Sequence, residues 1–238
     1  IDLVNGDQPI LNEDGTVADV RHGEVHNHGE LRDDLRARGH VFRTTSDTEV
    51  LVHLYEEYGE DMFRHLLGMF AATVHDERTG TLLVARDRLG QKPVLYHTAG
   101  EALYVASELK ALAPLLGPDR RPDPQALALY LNCMYVPAPL TIFAGIHKLP
   151  PAHYLKHDAA GLVVRPYWRP DACIDWSLTE AQAVDGIRDL LHEAVRSQLI
   201  ADVPLGVFLS GGLDSGAVVA SAARAMSEPP ATFVMGMG

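Results

Sequence analysis

The stretch Val207-Phe208-Leu209-Ser210-Gly211-Gly212-Leu213-Asp214-Ser215 constrains this chain more than any other. An apolar run reads as a buried strand, the adjacent glycines as a pinched loop, and the residues from about Gly216 to Met226 as a helix. Without a Cβ, Gly211 and Gly212 let the backbone bend sharply and approach a ligand closely. The N–H groups of such a loop lie at a helix start, where the backbone dipole favours an anion. Ser210 and Ser215 add hydroxyl donors. Asp214 does not fit phosphate alone, because a carboxylate beside phosphate repels it unless a divalent cation lies between them. The unit therefore points to a magnesium pyrophosphate group. It is not a Walker A loop, since no Gly-Lys-Ser/Thr follows.

At 238 residues the chain has room for one large or two modest domains. Its formal charge of −12 argues against a nucleic-acid or anionic-membrane partner. Local N–H groups and a metal still allow an acidic protein to bind ATP. No apolar run of about 18 residues suggests a membrane span, and no signal peptide is visible. The two cysteines, Cys133 and Cys173, have no framework spacing, which points to a reduced, cytoplasmic setting. Among the twelve histidines, His22, His26 and His28 are close enough in sequence to suggest a metal cluster. Solvated or core-edge histidines are the better reading, because neither HExxH nor paired CxxC spacing is present. The start at Ile1 without Met, and a final strand over Ala231–Gly236 with no layer after it, lead us to expect part of a longer protein.

Residues 1–20 read as short turns, and Arg21–Asn27 as a loop. A helix bearing Leu31 and Leu35 stops at Gly39. A second, bearing Leu51, Leu54, Tyr55 and Tyr58, ends at Gly59, with Ser46 and Glu49 as a capping box. Hairpins follow over Met69–His75 with Thr81–Asp87, and over Val94–Tyr96 with Leu103–Ala106. Between the two hairpins, Arg86 and Asp87 stand in a charged turn and suggest a structural ion pair. A short helix spans Glu108–Ala113. Pro114, Gly117, Pro118, Asp119, Pro122 and Pro124 read as a linker, followed by a helix over Ala126–Leu131. Leu162–Tyr167 reads as a strand that Pro166 confines to a sheet edge. Ser177 with Glu180 suggests another capping box. The helix behind it carries Val184, Ile187, Leu190, Leu191, Ala194 and Val195, a stripe suited to covering a sheet.

The Ser210–Ser215 hexapeptide resembles the PP-loop of the N-type ATP pyrophosphatases. Together with Gly23-Glu24-Val25-His26-Asn27, Ser46-Asp47-Thr48-Glu49 and Ala85–Pro93, it makes the chain similar to the glutamine-hydrolysing asparagine synthetase family over nearly its whole length. The runs Ala106–Leu112 and Thr141–Leu155 resemble that family's domain junction. The resemblance implies an α/β/β/α sandwich of the N-terminal-nucleophile glutaminase type over residues 1–117. The start of a parallel α/β PP-loop synthetase domain would follow over 118–238. It implies glutamine, aspartate and ATP as substrates, with Mg2+, and leaves a homodimer open. In the family, ATP adenylates the aspartate β-carboxylate, and ammonia released from glutamine attacks the β-aspartyl-AMP to give asparagine, AMP and pyrophosphate.

By the same resemblance, Asp47 holds the glutamine α-ammonium, and a plain helix cap is the alternative reading. Gly23 and Glu24 belong to the glutamine loop, with the Gly23 N–H as an oxyanion donor. Ser210, Gly211, Gly212, Leu213, Asp214 and Ser215 resemble the pyrophosphate loop, with Asp214 toward the Mg2+; Leu209 and Met235 match strand-end positions beside the adenosine, with plain core as the alternative reading. Two departures stand out. The family's nucleophile is an N-terminal cysteine, whereas residue 1 here is Ile, so this stretch alone is not expected to hydrolyse glutamine. His22 stands where the family usually has Asn, and a histidine donates one N–H whose availability depends on tautomer and pH. Rival readings are an adenylating relative acting on another acid, such as a β-lactam synthetase or a peptide- or sugar-modifying amidotransferase, and a non-catalytic nucleotide-binding module.

Overall fold

The computed structural model describes residues 1–118 and 120–236, so Asp119 of the expected linker lies outside the described residues. Two compact units emerge, one over Val4–Pro170 and one from Asp171 onward that includes Ile1–Leu3.

The first unit opens with β1 (Ile10–Leu11) and β2 (Val17–Val25). The turns and loop expected through Asn27 are thus largely a nine-residue strand. Its buried positions are Val17, Asp19, Arg21 and Val25. Two charged residues interrupt the apolar alternation by which a half-buried strand announces itself. Helices α1 (His28–Ala37) and α2 (Val50–Tyr58) follow, then a 3-10 turn over Gly59–His65, and strands β3 (Gly68–Asp76), β4 (Thr81–Arg86), β5 (Leu95–Ala99) and β6 (Ala102–Ala106). After α3 (Leu109–Leu112) and α4 (Pro124–Cys133) come β7 (Ile146–Lys148), β8 (His153–Asp158) and β9 (Gly161–Pro166).

One sheet has the order β1-β2-β3-β4-β8-β9, with β9 at its edge as Pro166 requires, and a second has the order β6-β5-β7. All these neighbours pair antiparallel. Strand β4 is apolar on both faces because it lies between two layers. Leu83 and Ala85 join Leu35, Leu51, Leu54, Phe63 and Phe70 on the helix side. Val84 packs with Val94, Leu149 and Leu155, against Leu103 and Val105 of the second sheet. Beyond that sheet, Leu95 and Ile146 meet Leu112, with Leu109 packed against them. Helix, sheet, sheet and helix stack in that order, which is the expected α/β/β/α sandwich. Each fully buried side chain such as Phe63 or Phe70 contributes roughly 1.5–3 kcal/mol by leaving water.

The boundary expected after residue 117 moves to Pro170, because β7 pairs with β5 and β8 with β4. The proline-rich run is built in rather than left as a tether. Pro124 opens α4, where a missing N–H costs nothing, and the Asp123 carboxylate caps that helix by accepting from the Gln125 and Ala126 amides. The Ser46–Glu49 capping box does not form. Ser46 accepts from the Thr48 amide instead, while Glu49 accepts from the Arg43 and Thr44 amides and the Thr44 hydroxyl. Three local donors outcompete the single one a capping box would supply.

The second unit holds α5 (Glu180–Ser197), β10 (Gly206–Phe208), α6 (Leu213–Ala225) and β11 (Ala231–Phe233). The strands are parallel, with Val207 opposite Thr232, and α6 connects them in a βαβ unit. Helix α6 begins three residues earlier than expected, taking Leu213 to Ser215 into its first turn. The box that caps α5 uses Thr179 and Gln182 rather than Ser177 and Glu180, because the Ser177 hydroxyl donates to Asp175. Helix α5 lies along α6, where Arg224 and His192 are hydrogen-bonded at 3.0 Å. Val184, Ile187 and Leu190 of its stripe are exposed. At about 27 Å long, α5 far exceeds the two described three-residue strands, each about 10 Å.

Candidate functional site

His22, Gly23 and Glu24 occupy the last part of β2, opposite Ala71, Phe70 and Met69 of β3. Gly23 has φ +123°, and a Cβ there would lie 2.0 Å from the Met69 carbonyl oxygen. Only glycine lets the two strands approach so closely. His22 is exposed and lines a cleft of ≈330 Å³ between the two sheets, with Thr73, Val84, Pro93, Val105 and Ser107. His26 is held below the usual histidine range by burial, against the opposing charges of Glu24 and Asp47. The three clustered histidines do not form a ligand set among the described residues. His28, the first residue of α1, reaches back to the end of β2, with Nδ1 2.8 Å from the Val25 carbonyl.

Asp47 does not cap α2. Its Oδ1 accepts from Arg21 Nη2 at 2.6 Å and its Oδ2 from the Val25 amide at 2.9 Å, so the carboxylate reaches the same end of β2 that carries Glu24. Arg21 also donates to the Thr48 hydroxyl, from Nε at 3.2 Å and Nη2 at 2.9 Å. Two residues back, Asp19 is fully buried and, among the described residues, neither of its carboxylate oxygens has a hydrogen-bond partner, nor does Arg21 Nη1. Burial pushes Asp19 well above the usual carboxylate range; Arg21 opposes the shift and Asp47 adds to it. Reading the sequence missed this Asp19–Arg21–Asp47 cluster. The available signal was a pair of opposite charges at i and i+2, which share one face of a strand.

The Arg86–Asp87 ion pair also resolves differently. The Arg86 guanidinium donates to the carbonyls of Lys92, Gly90 and Leu149 at 2.8, 2.7 and 2.9 Å. Asp87 is fully buried and accepts from the amides of Leu89, Gln91 and Lys92. Each residue satisfies one polarity of the turn's backbone, which contains far more partners than the single opposing side chain. Their role is to fix the turn after β4.

In the second unit, Ser210–Ser215 links the end of β10 to α6. Ser210 and Ser215 hydroxyls lie 3.0 Å apart, the Ser210 amide donates to Ser215 Oγ at 3.2 Å, and that hydroxyl donates to the Gly212 carbonyl at 3.1 Å. Gly211 has φ +81°, and Gly212 is the N-cap of α6, which no side chain caps. Asp214 lies in the first helical turn, exposed. Leu209 is tied to β11 through its amide, 2.8 Å from the Phe233 carbonyl. Met235, 90% exposed, follows the end of β11 by two residues. Leu209, the loop and Met235 therefore gather at the carboxyl ends of parallel strands, where α/β sheets bind ligands. Two hydroxyls, an uncapped helix start and one carboxylate are a donor set that fits a phosphate chain with a divalent cation.

A family model described as glutamine amidotransferase domain matches residues 1–168, and one described as asparagine synthase matches residues 186–238. The chain is 41% identical over 228 residues to asparagine synthetase [glutamine-hydrolyzing] 3 of Bacillus subtilis (strain 168), a match covering 94% of this chain and 37% of that protein. To asparagine synthetase [glutamine-hydrolyzing] 1 of the same organism it is 35% identical over 237 residues, covering 99% and 37%. The chain thus spans little more than a third of the length of these curated relatives. Among solved structures, the glutamine phosphoribosylpyrophosphate amidotransferase from B. subtilis, complexed with ADP and GMP, superposes with a TM-score of 0.49 at 19% identity. That match covers 95% of this chain and 48% of the other.

Proposed function

The chain belongs to the glutamine amidotransferase domain family, and on that premise we propose that the protein carrying it makes asparagine from aspartate with ammonia drawn from glutamine, at the expense of ATP. The observation that carries this reading is the Ser210–Ser215 loop at the uncapped start of α6, in a segment matching the asparagine synthase family. Ser210, Gly211, Gly212, Leu213 and Ser215 would hold the pyrophosphate of ATP, Asp214 its Mg2+, and Leu209 and Met235 would flank the adenosine. ATP supplies the activation that turns a carboxylate oxygen into a leaving group. This chain's residues bind and orient it.

On the amidotransferase side, His22, Gly23, Glu24 and Asp47 would receive glutamine. The buried Arg21, 2.6 Å from Asp47, holds its carboxylate aimed at the end of β2. Neither Cys133 nor Cys173 lines the His22 cleft, so neither is assigned the nucleophile's role. Both are exposed free thiols, in keeping with a reduced, cytoplasmic setting.

The test is aspartate-dependent ATP–pyrophosphate exchange on the full-length protein. Exchange is expected with aspartate, and Asp214→Asn is expected to abolish it while glutaminase activity persists, because the two sites belong to separate compact units. Exchange that answers only to another acid would overturn the substrate. Exchange that survives Asp214→Asn would remove the loop from the pyrophosphate site.

A further inference from the structure

Four side chains from three separate segments of the first unit converge away from the residues above. Glu13 comes from the turn between β1 and β2, His40 from the segment after α1, and His53 and Glu56 from one face of α2, at i and i+3. One donor atom from each lies within 4.8 Å of all the others. His53 Nδ1 is 3.2 Å from Glu56 Oε2 and 3.5 Å from Glu13 Oε2. His40 Nδ1 is 3.5 Å from Glu56 Oε2 and 3.8 Å from Glu13 Oε1.

These separations decide between two readings. A histidinium donating to carboxylates closes to about 2.7–2.9 Å, and only the shortest of the four approaches that range. Four ligands at about 2.0–2.2 Å around a tetrahedral zinc ion stand about 3.3–3.6 Å from one another. The three separations that use one inward oxygen per carboxylate, 3.2, 3.5 and 3.5 Å, lie around that value, and the 3.8 Å one runs to the other oxygen of Glu13. Three of the four outer atoms, those of His40, Glu56 and Glu13, are held as ligand-orienting partners usually are. His40 Nε2 lies 3.0 Å from Glu57 Oε1, which turns Nδ1 inward. Glu56 Oε1 accepts from Asn12 Nδ2 at 2.7 Å, and Glu13 Oε1 from the Val41 amide at 2.9 Å. The His53 side chain is 1% exposed, and its outer Nε2, 4.0 Å from Glu49, has no hydrogen-bond partner among the described residues. Two carboxylates balance a 2+ charge, and Glu49 and Glu57 stand just outside them.

We propose that Glu13, His40, His53 and Glu56 bind one zinc-class divalent cation. Two imidazole nitrogens select against Mg2+ and Ca2+, which prefer all-oxygen shells. Four protein ligands leave no open position, so the ion is structural. It staples the β1–β2 turn and the α1–α2 segment to α2.

The test uses the full-length protein with Cys133→Ser and Cys173→Ser, stripped by a chelator and titrated with Zn2+ by calorimetry. One equivalent is expected to bind and raise Tm, with no matching effect from Mg2+. The partly exposed positions permit His40→Gln and Glu13→Gln without emptying the core, and each is expected to weaken Zn2+ binding by at least about 10-fold. Absence of one-equivalent binding, or undiminished affinity in the His40→Gln/Glu13→Gln double variant, would overturn the site. So would a Tm that ignores Zn2+ and rises instead as the histidines protonate, which would mark a histidinium–carboxylate cluster.

Discussion

Asp47 and Arg21 form an ion pair at 2.6 Å, with side chains only 1% and 4% exposed. It joins the segment before α2 to the inward face of β2, and it replaces the helix cap that the local sequence suggests. Removing one partner of a buried pair strands the other charge and typically costs about 3–5 kcal/mol, whereas replacing both with apolar groups can be neutral. Arg21→Met alone is therefore expected to destabilise the protein by about 3 kcal/mol, and Arg21→Met/Asp47→Leu by clearly less than the sum of the single changes. Urea unfolding of the two single variants and the double variant measures the coupling. Additive losses would show that the two charges act independently.

Asp19 carries the opposite consequence. Its pKa is raised in the folded state by burial, so its contribution is most favourable below its ordinary value of 3.8 and is lost as pH rises through the folded value. Asp19→Asn keeps the shape and abolishes the titration. The variant is expected to be more stable than the parent near pH 7, by about 1 kcal/mol, with the advantage shrinking toward pH 4. Thermal unfolding across that range checks the sign; an advantage that grows as pH falls contradicts it.

Gly23 and Gly211 separate strand packing from loop chemistry. A Cβ at Gly23 meets the Met69 carbonyl at 2.0 Å, whereas at Gly211 it meets nothing within 4 Å among the described residues. Gly23→Ala must push β2 from β3 and is expected to cost more than about 3 kcal/mol, or to prevent folding. Gly211→Ala strains only its positive φ, at about 1 kcal/mol. It should leave unfolding of the first unit unchanged while lowering ATP–pyrophosphate exchange. Denaturation curves and exchange rates on both variants distinguish the cases.

His22 lines the cleft between the sheets at a position where a side-chain amide would offer two N–H donors and an imidazole offers one when neutral. His22→Asn is expected to raise the glutaminase rate of the full-length protein several-fold. Steady-state ammonia release reads this directly, and an unchanged rate would take His22 out of the oxyanion's surroundings.

Most helices and hairpins were legible because their signals are local. Gly59 ends α2, the alternation of β3 and β4 sets their faces, and Pro166 confines β9 to an edge. Strand β2 was obscured because Asp19 and Arg21 face inward, and polarity stopped reporting burial there. The linker expected around residue 118 misread proline as a break, when Pro124 opens a capped helix. Ser46, Ser177 and Arg86 each took a partner other than the expected one. Several backbone or side-chain groups lay within reach of each, and sequence spacing does not rank them.

By itself, the sequence determined the local form of the Ser210–Ser215 loop, since strand, glycines, hydroxyls and helix are contiguous and their geometry follows from local backbone rules. Only the tertiary structure decided what Asp47 touches, why position 23 must be glycine, and that Glu13, His40, His53 and Glu56 meet. Those relationships join residues far apart along the chain, and their distances are set by how sheet and helices pack.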